Sequence, residues 1–219
     1  MVSRRNMLKT GLTAVFGACA VQTASTSEVQ QKSQNNFDVV ILGAGTGGLV
    51  TAIEAADLGL KPVVLEKMEC SAGNSLYASG GIAAWGTSQQ KEEGRNETKE
   101  SFREDMMKVS EYRADPALVG AYVNHIPEDF EWLKKQGVKF SKIGKKPWPL
   151  NYRMHNVDGQ GLTGGARLVR YLLEACEKRN IPIIYNTKAI ELLTNDAGRV
   201  IGVRAQGDLH KTDYFAKDG

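Results

Sequence analysis

The sequence has few cysteines, no cluster of metal ligands and no internal repeat. Its 219 residues include three cysteines, Cys19, Cys70 and Cys176, which are too few and too widely spaced to predict a disulfide framework. No Cys-x-x-Cys-His motif occurs, so covalent c-type haem is not expected in this chain. No cysteine and histidine spacing typical of a metal site occurs either, and no metal is predicted.

The sequence also lacks a surplus of charge outside its N-terminus. Lysine and arginine total 28 against 25 acidic residues, and residues 1–24 contain no acid. Arg4, Arg5 and Lys9 account for the formal charge of +3, so the remainder is balanced and nucleic acid is not a predicted partner. The basic, aromatic stretch 142–153 is interpreted as a solvated loop, with a substrate-facing surface as the alternative.

Two adjacent arginines precede a short apolar run at the N-terminus. Arg4 and Arg5 lie in SRRNMLK, and the apolar run 11–21 is too short to span a bilayer. The pattern resembles the twin-arginine export signal of bacteria. It predicts a signal peptide over 1–24, a polar linker over 25–36, export by the twin-arginine machinery and a periplasmic location. An ordinary Sec signal and a lipoprotein signal are the alternatives.

A short apolar strand, a glycine-rich turn and a helix of small residues follow in that order. FDVVIL (37–42) is typical of a buried parallel strand, and LVTAIEAADLG (49–59) is helical. Gly43, Gly45 and Gly48 form GxGxxG between them, which permits a tight turn, close approach of a pyrophosphate and close packing of the helix. The N–H groups and positive dipole end of the helix favour that anion.

The next strand and the loop after it indicate the kind of dinucleotide. PVVLE (62–66) places Glu66 where a carboxylate can bind ribose hydroxyls. The segment 67–86 is rich in glycine and small residues, and it predicts neither a second crossover helix nor disorder. We interpret it as backbone wrapped around a flat ligand, which favours FAD over NAD. A glycine-rich surface loop is the alternative.

These stretches together resemble the FAD-binding part of the fumarate reductase and succinate dehydrogenase flavoprotein family. The resemblance is carried by DVVILGAGTGGLVTAIEAADLG, VVLEK and GNSLYASGGIAA and covers residues 37–206. Within this family the sequence most resembles the soluble, exported fumarate reductase-type flavoproteins, a group that also includes urocanate reductases and ketosteroid dehydrogenases. The resemblance implies an α/β fold, namely a Rossmann-like FAD-binding domain with a parallel sheet and helical and β-hairpin insertions. This domain would occupy 37–219 and be incomplete at its C-terminus.

The resemblance also implies which residues bind FAD non-covalently. They are Gly43, Gly45, Gly47 and Gly48 for the pyrophosphate; Glu66, with Lys67 beside it, for the adenosine ribose; Asn74 and Ser75 for the phosphate and ribityl region; Ser79, Gly80 and Gly81 for the flavin ring; and the backbone of Ala189 for the adenine. Ala72 departs from the Gly-Gly pair of the family, and alanine adopts positive φ less readily than glycine.

The reaction that the family implies is hydride transfer from reduced flavin to an activated C=C bond of a fumarate-like enoate. The arginine that donates the proton, and the groups that hold the substrate, lie in a later part of the family's chain. No residue of this sequence is therefore assigned as catalytic. The chain alone is expected to be inactive, and the full-length form would bind a small-molecule substrate and take electrons from a separate donor protein. The alternatives are a short, non-catalytic or vestigial FAD-binding protein and a ketosteroid dehydrogenase-type flavoenzyme.

The rest of the sequence predicts further helices and strands. The helices are 97–111, 115–137 and 163–180, and the strands are 181–185, 188–194 and 199–205, with a turn at 195–198 and a further strand within 208–216. Asp115-Pro116 is a favourable helix start. The apolar face of that helix comprises Val119, Tyr122, Ile126, Phe130 and Leu133. Of the histidines, His125 and His210 are expected on the surface. Only His155 is considered for a place near the flavin, with a structural role preferred.

Overall fold

A computed structural model describes residues 36–71, 73–143 and 153–217 of the chain. The predicted signal peptide, nearly all of the predicted linker, Ala72 and most of the basic stretch 142–153 lie outside the described residues. All described residues belong to one unit, Asn36–Gly219. Within them, no helix is both long enough and apolar enough to cross a membrane.

The described residues form nine strands, five α-helices and one 3₁₀ turn. In chain order they are β1 (Asn36–Phe37), β2 (Val39–Leu42), α1 (Thr46–Asp57), β3 (Pro62–Leu65), the 3₁₀ turn (Gly73–Tyr77), β4 (Gly81–Ala83), α2 (Ser88–Glu92), α3 (Lys99–Val109), α4 (Pro116–Lys135), β5 (Met154–Asn156), α5 (Gly164–Lys178), β6 (Ile183–Ile184), β7 (Lys188–Thr194), β8 (Val200–Gln206) and β9 (Lys211–Ala216). The strands make a four-stranded sheet β1-β9-β8-β7, a three-stranded sheet β2-β3-β6 and a two-stranded ribbon β4-β5.

The three-stranded sheet is parallel, as the α/β interpretation predicts. β2 pairs with β3 from Val39↔Pro62 to Leu42↔Leu65, and β3 pairs with β6. Helices α1 and α5 pack against each other beside this sheet. Their shared core contains, among others, Leu49, Ile53, Val64 and Leu172, all fully buried. Burial of each such side chain contributes about 1.5–3 kcal/mol, so this layer fixes the sheet against α1.

Residues 37–42 were predicted as one strand, but they belong to two strands in different sheets. Phe37 belongs to β1 and pairs with β9, whereas Val39 begins β2 and pairs with β3. Asp38 separates them, because its backbone N–H donates to Lys61 O at 2.9 Å and its carboxylate accepts the Lys61 N–H at 2.8 Å. The chain therefore passes from one sheet to the other at a single polar residue.

Strands β7, β8 and β9 form an antiparallel meander that confirms the predicted hairpin. The side chain of Asn195 accepts the backbone N–H groups of Ala197 and Arg199, and Gly198 adopts a φ of +76° in the turn. On one face, Arg204 of β8 contacts Glu191 of β7 and Asp213 of β9 at 3.0 and 2.7 Å. Val203, Ala205 and Tyr214 point to the other face and pack against Phe37 and β3.

Helix α4 begins as the sequence predicts. The Asp115 side chain accepts the Ala117 N–H at 2.7 Å, and Pro116 occupies the first turn. Of the predicted apolar face, Val119, Ile126 and Phe130 are buried and Leu133 is half-buried. Tyr122 instead stays 38% exposed, and its hydroxyl donates to Ala83 O at 2.8 Å. Val123, outside the predicted face, is fully buried.

One helix start and one short helix differ from the sequence prediction. Helix α1 begins at Thr46 rather than at residue 49, because the last glycines of the GxGxxG stretch already belong to its first turn. The short helix α2 was not predicted at all. Its signal was present in the sequence: Thr87 and Gln90 form a reciprocal capping box, in which each side chain accepts the other residue's backbone N–H.

Candidate cofactor-binding site

The glycine turn joins β2 to α1 at the carboxyl end of the parallel sheet. Gly43 adopts a φ of +98° and donates its N–H to Leu65 O at 2.8 Å. A Cβ on Gly48 would lie 1.9 Å from the Gly43 oxygen, so the helix contacts the turn with no room for a side chain. A Cβ on Gly47 would meet nothing within 4 Å. Gly48 is thus required by packing, whereas Gly47 borders open space.

The N-terminus of α1 is suited to an anion. Its N-cap residue is Gly45, which offers no side-chain cap, and its first turn contains no acidic residue. The first N–H groups of a helix have no intrahelical partner and carry the positive end of the dipole. Ser75, from the 3₁₀ turn, accepts the Thr46 N–H through its Oγ at 3.3 Å. This contact brings one predicted site residue directly to the helix start.

Glu66 is buried and its carboxylate binds backbone. Oε2 accepts the Ala44 N–H at 2.7 Å, and Oε1 accepts the Met68 N–H at 2.9 Å. The residue is 6% exposed. Each carboxylate oxygen has a second lone pair, so both bonds are compatible with further acceptance from ribose hydroxyls. The sequence suggested only the ribose role, and the structure adds a link between the glycine turn and the end of β3.

Ala189 lies in β7, and the connection before β7 approaches Glu66. The Thr187 N–H donates to Glu66 O at 2.8 Å, and the Asn186 N–H donates to Met68 O at 3.0 Å. Tyr185 adds a hydroxyl contact to Ser71 at 2.8 Å. These bonds bring the start of β7 to the same edge as Glu66. The predicted ribose and adenine residues are therefore neighbours in the fold.

The other residues that are predicted to contact FAD lie in the glycine-rich loop. Lys67, Asn74 and Ser79 are exposed, and Gly80 and Gly81 are half-buried. Gly81 begins β4 and pairs with β5. The loop therefore runs from Glu66, past the start of α1, into the β4–β5 ribbon.

The start of α5 packs against this loop, which the sequence reasoning missed. A Cβ on Gly165 would lie 1.9 Å from Ser75 O, and a Cβ on Gly80 would lie 2.2 Å from the carbonyl carbon of Gly164. The Gly165 N–H donates to Ala78 O at 3.0 Å, and the Thr163 hydroxyl donates to the Leu76 carbonyl. The available signal was the Gly-Gly pair directly after a helix-capping threonine. It predicts close backbone contact rather than a flexible helix end.

Arg153 is a buried polar residue whose role the sequence did not indicate. Arg153 is 4% exposed; it donates to both carboxylate oxygens of Glu97 at 2.8 and 2.9 Å and to Asp105 at 2.5 Å. Helix α3 is thereby tied to the residue before β5.

His155 is completely buried, which agrees with the preferred structural interpretation, whereas His125 and His210 are exposed as expected. Burial lowers the pKa of His155, with hydrogen bonds to backbone carbonyls opposing that shift.

The residues at this edge of the sheet are suited to binding a dinucleotide. Three features converge at one edge: a turn that excludes side chains, an uncapped helix start and a buried acid. Within 36–71, 73–143 and 153–217, no three His, Cys, Asp or Glu side chains are grouped to hold a metal ion. Together with the parallel sheet, these features define a dinucleotide-binding domain of the Rossmann-like class.

The chain belongs to the family described as "FAD binding domain", whose model matches residues 38–218. The "Fumarate reductase (cytochrome)" of Shewanella frigidimarina is 35% identical over 183 residues, which are 84% of this chain and 32% of that protein. The chain spans about a third of the length of the first curated relatives that it matches.

Solved structures agree on the fold. The 3-ketosteroid-delta4-(5alpha)-dehydrogenase from Rhodococcus jostii RHA1 matches with a TM-score of 0.74 and 28% identity, over 84% of this chain and 44% of that one. The open conformation of a flavocytochrome c3 fumarate reductase matches with a TM-score of 0.72 and 25% identity, over 90% of this chain and 35% of that one. The predicted family, the α/β class and FAD as the cofactor are confirmed.

Proposed function

We propose that this chain is the FAD-holding portion of an exported flavoprotein oxidoreductase that, at full length, reduces an activated C=C bond of a fumarate-like enoate. The observation that carries the proposal is the convergence of the glycine turn, the start of α1 and Glu66 at one edge of the parallel sheet. The similarity to the Shewanella fumarate reductase supports the reaction class. FAD, when bound, would supply the hydride that reduces the C=C bond, after taking two electrons and a proton through the electron donor and solvent.

Each predicted residue has a role in holding the cofactor non-covalently. The backbone at Gly43, Gly45, Gly47 and Gly48 would bind the pyrophosphate. Gly47 and Gly48 contribute N–H groups of the first helical turn, whereas Gly43, whose N–H donates to Leu65 O, contributes the tight turn. Glu66 would accept ribose hydroxyls, with Lys67 beside it, and Ala189 would meet the adenine through its backbone. The remaining contacts come from the glycine-rich loop: Asn74 and Ser75 for the phosphate and ribityl part, and Ser79, Gly80 and Gly81 for the flavin ring.

Binding of FAD is tested by a charge placed where the pyrophosphate is proposed. In Gly47→Asp the new side chain enters open space at a helix start, where the positive end of the helix dipole stabilises a negative charge. The variant should keep the thermal stability of the FAD-free chain and lose FAD affinity by about tenfold or more through charge repulsion. Fluorescence titration with FAD measures the affinity, and release of the flavin by acid precipitation tests non-covalent attachment. Unchanged affinity would contradict the proposed site.

The whole protein would act through parts that this chain does not supply. We propose a separate electron-donor protein and a small-molecule substrate bound only by the full-length form, with the chain alone inactive. The intact mass of the native protein from the periplasm tests this. A mass well above that of residues 21–219 supports the full-length reductase, and reduction of fumarate by that protein with reduced methyl viologen would identify the reaction. A mass equal to the short chain would favour the alternative of a non-catalytic FAD-binding protein.

A second candidate is a ketosteroid dehydrogenase-type flavoenzyme. It is favoured by the structural similarity to the Rhodococcus enzyme. Oxidation of a 3-ketosteroid by the full-length protein with an artificial electron acceptor would support it, and fumarate reduction would argue against it.

Export is proposed from Arg4 and Arg5 at the N-terminus. Replacing both by lysine should leave the protein in the cytoplasm if the twin-arginine machinery carries it, since that machinery reads the arginine pair. Cell fractionation measures the outcome. Undiminished export of the lysine variant would indicate a Sec signal instead.

A further inference from the structure

The β4–β5 ribbon carries the segment that is proposed to face the flavin ring. Ile82 pairs with His155 at its centre, and Gly81 pairs with Asn156. The Val157 N–H donates to Gly80 O at 3.0 Å and the Ala84 N–H donates to the Arg153 carbonyl at 2.9 Å. A ribbon of three residues per strand is too short to hold its position by backbone bonds alone. Besides the contact of Gly80 with the start of α5, side chains that anchor the ribbon therefore contribute to the position of Gly80 and Gly81.

His155 is the buried anchor of this ribbon. Its Nδ1 lies 2.8 Å from Arg153 O and 3.3 Å from Ile82 O, and its Nε2 lies 2.9 Å from the hydroxyl of Thr87. The ring centroid is 4.4 Å from that of Phe130 on α4. One side chain thus connects both strands, the start of α2 and the core of α4.

The partners of the ring determine its tautomer. A backbone carbonyl can only accept, so Nδ1 carries the proton and donates to Arg153 O. Complete burial favours the neutral ring, because desolvation penalises the charged form. With Nδ1 protonated, the neutral ring accepts at Nε2, where the hydroxyl of Thr87 is the donor.

We propose that His155 is a positioning residue: its neutral imidazole holds the backbone of Gly80 to Ile82 against α2 and thereby sets the environment of the flavin ring. The proposal rests on the proposed function, in particular on Ser79, Gly80 and Gly81 lining the ring. His155 itself is enclosed by Thr87 and Phe130 and acts through the β4 backbone.

The test uses the full chain loaded with FAD. His155→Leu removes the hydrogen bonds of both ring nitrogens, whereas His155→Asn keeps a donor near the position of Nδ1. Val203→Ala is the control, since it removes buried atoms from the β7–β9 meander, away from the ribbon. We expect the flavin absorption maxima and midpoint potential to shift in His155→Leu, to return toward wild type in His155→Asn and to stay unchanged in Val203→Ala. Amides of Gly81 to Ala84 should exchange about tenfold faster in His155→Leu.

Two results separate the failure of this inference from that of the proposed function. If the wild-type chain binds no FAD, the proposed function fails and the inference fails with it. If all variants bind FAD with the same spectrum and potential, only the positioning role is overturned. A measurement on the wild type does not depend on whether a variant folds: ¹⁵N chemical shifts of the His155 ring should show the Nδ1–H tautomer. An Nε2–H tautomer or an imidazolium would overturn the inference.

Discussion

The Glu66 carboxylate accepts the backbone N–H of Ala44 at 2.7 Å, and this bond joins the glycine turn to the end of β3. The other carboxylate oxygen accepts the Met68 N–H. A glutamine side chain has only one acceptor oxygen, so it can accept only one of these two N–H groups well. Glu66→Gln should lower the free energy of unfolding by about 1–3 kcal/mol and weaken FAD binding. Urea unfolding and FAD titration measure both effects.

The exposed Glu69→Gln is the matched control, since it removes the same charge nearby. Equal stability and affinity in the two variants would show that Glu66 does not link turn and strand.

Gly48 and Gly47 provide a direct test of which glycine the turn requires. Gly48→Ala places a methyl group 1.9 Å from a backbone oxygen, so the helix must move and stability should fall by about 2–3 kcal/mol. Gly47→Ala meets nothing within 4 Å and should leave the stability unchanged or raise it by up to about 1 kcal/mol. Thermal unfolding of both variants without FAD gives the comparison. Equal effects would contradict the close contact of α1 with the turn.

Gly165 is expected to be equally intolerant at the start of α5. A Cβ there would lie 1.9 Å from Ser75 O, whereas a Cβ on Gly120 in α4 would meet nothing within 4 Å. Gly165→Ala should lower stability by about 2–3 kcal/mol and displace the glycine-rich loop. Gly120→Ala should be neutral or stabilising. Denaturant unfolding, together with hydrogen exchange of residues 75–80, measures the two effects, and unaltered exchange in Gly165→Ala would refute the packing argument.

The Arg153 cluster should behave as a buried ion pair network. Arg153→Met leaves the carboxylates of Glu97 and Asp105 without their cation, and a loss of about 3–5 kcal/mol is expected. Adding Glu97→Gln and Asp105→Asn to that variant should recover part of the loss, because the buried negative charges are removed. Calorimetric unfolding of the single and triple variants gives the comparison. A triple variant less stable than Arg153→Met would contradict the electrostatic explanation.

The two cysteines within the described ranges should differ in reactivity. Cys70 is exposed, whereas Cys176 is buried and burial raises the pKa of its thiol to about 11. Iodoacetamide at pH 8 should modify Cys70 in the folded chain and reach Cys176 only after unfolding, because the thiolate is the nucleophile. Peptide mass mapping measures both. Rapid labelling of Cys176 without unfolding would contradict its burial.

The raised pKa of Cys176 also affects stability at alkaline pH. The thiol has its ordinary pKa of 9.0 in the unfolded chain and a pKa of about 11 in the folded one, so its contribution to stability is complete below pH 9.0 and is lost as pH rises to about 11. Cys176→Ala should flatten that part of the curve of stability against pH. A curve of unchanged shape in the alanine variant would assign the alkaline loss to other groups.

Local patterns in the sequence were sufficient for many elements. The Asp115-Pro116 start of α4, the turn from Asn195 to Gly198 and the glycine turn after β2 each depend on residues a few positions apart. Their signals are backbone conformations and caps, which are properties of short segments. The predicted FAD-binding residues beyond the glycine turn and Glu66 came instead from the resemblance to the flavoprotein family.

Contacts between distant segments could not be read in the same way. Nothing within 37–42 indicates that Asp38 divides the strand, because the division depends on pairing with Lys61 and with β9. Likewise, Arg153 meets Glu97 at a separation of 56 residues.

The sequence by itself determined the glycine turn, because that turn depends on residue types at fixed local spacing, and its resemblance to a flavoprotein family implied the α/β class and FAD as the cofactor. Only the tertiary structure decided which side chains hold that site together. Glu66 binds the turn, Gly165 excludes a side chain beside Ser75, and His155 anchors the β4–β5 ribbon. The physical reason is that burial and hydrogen-bond partners depend on distances across the fold, and these are set by packing rather than by neighbours in the chain.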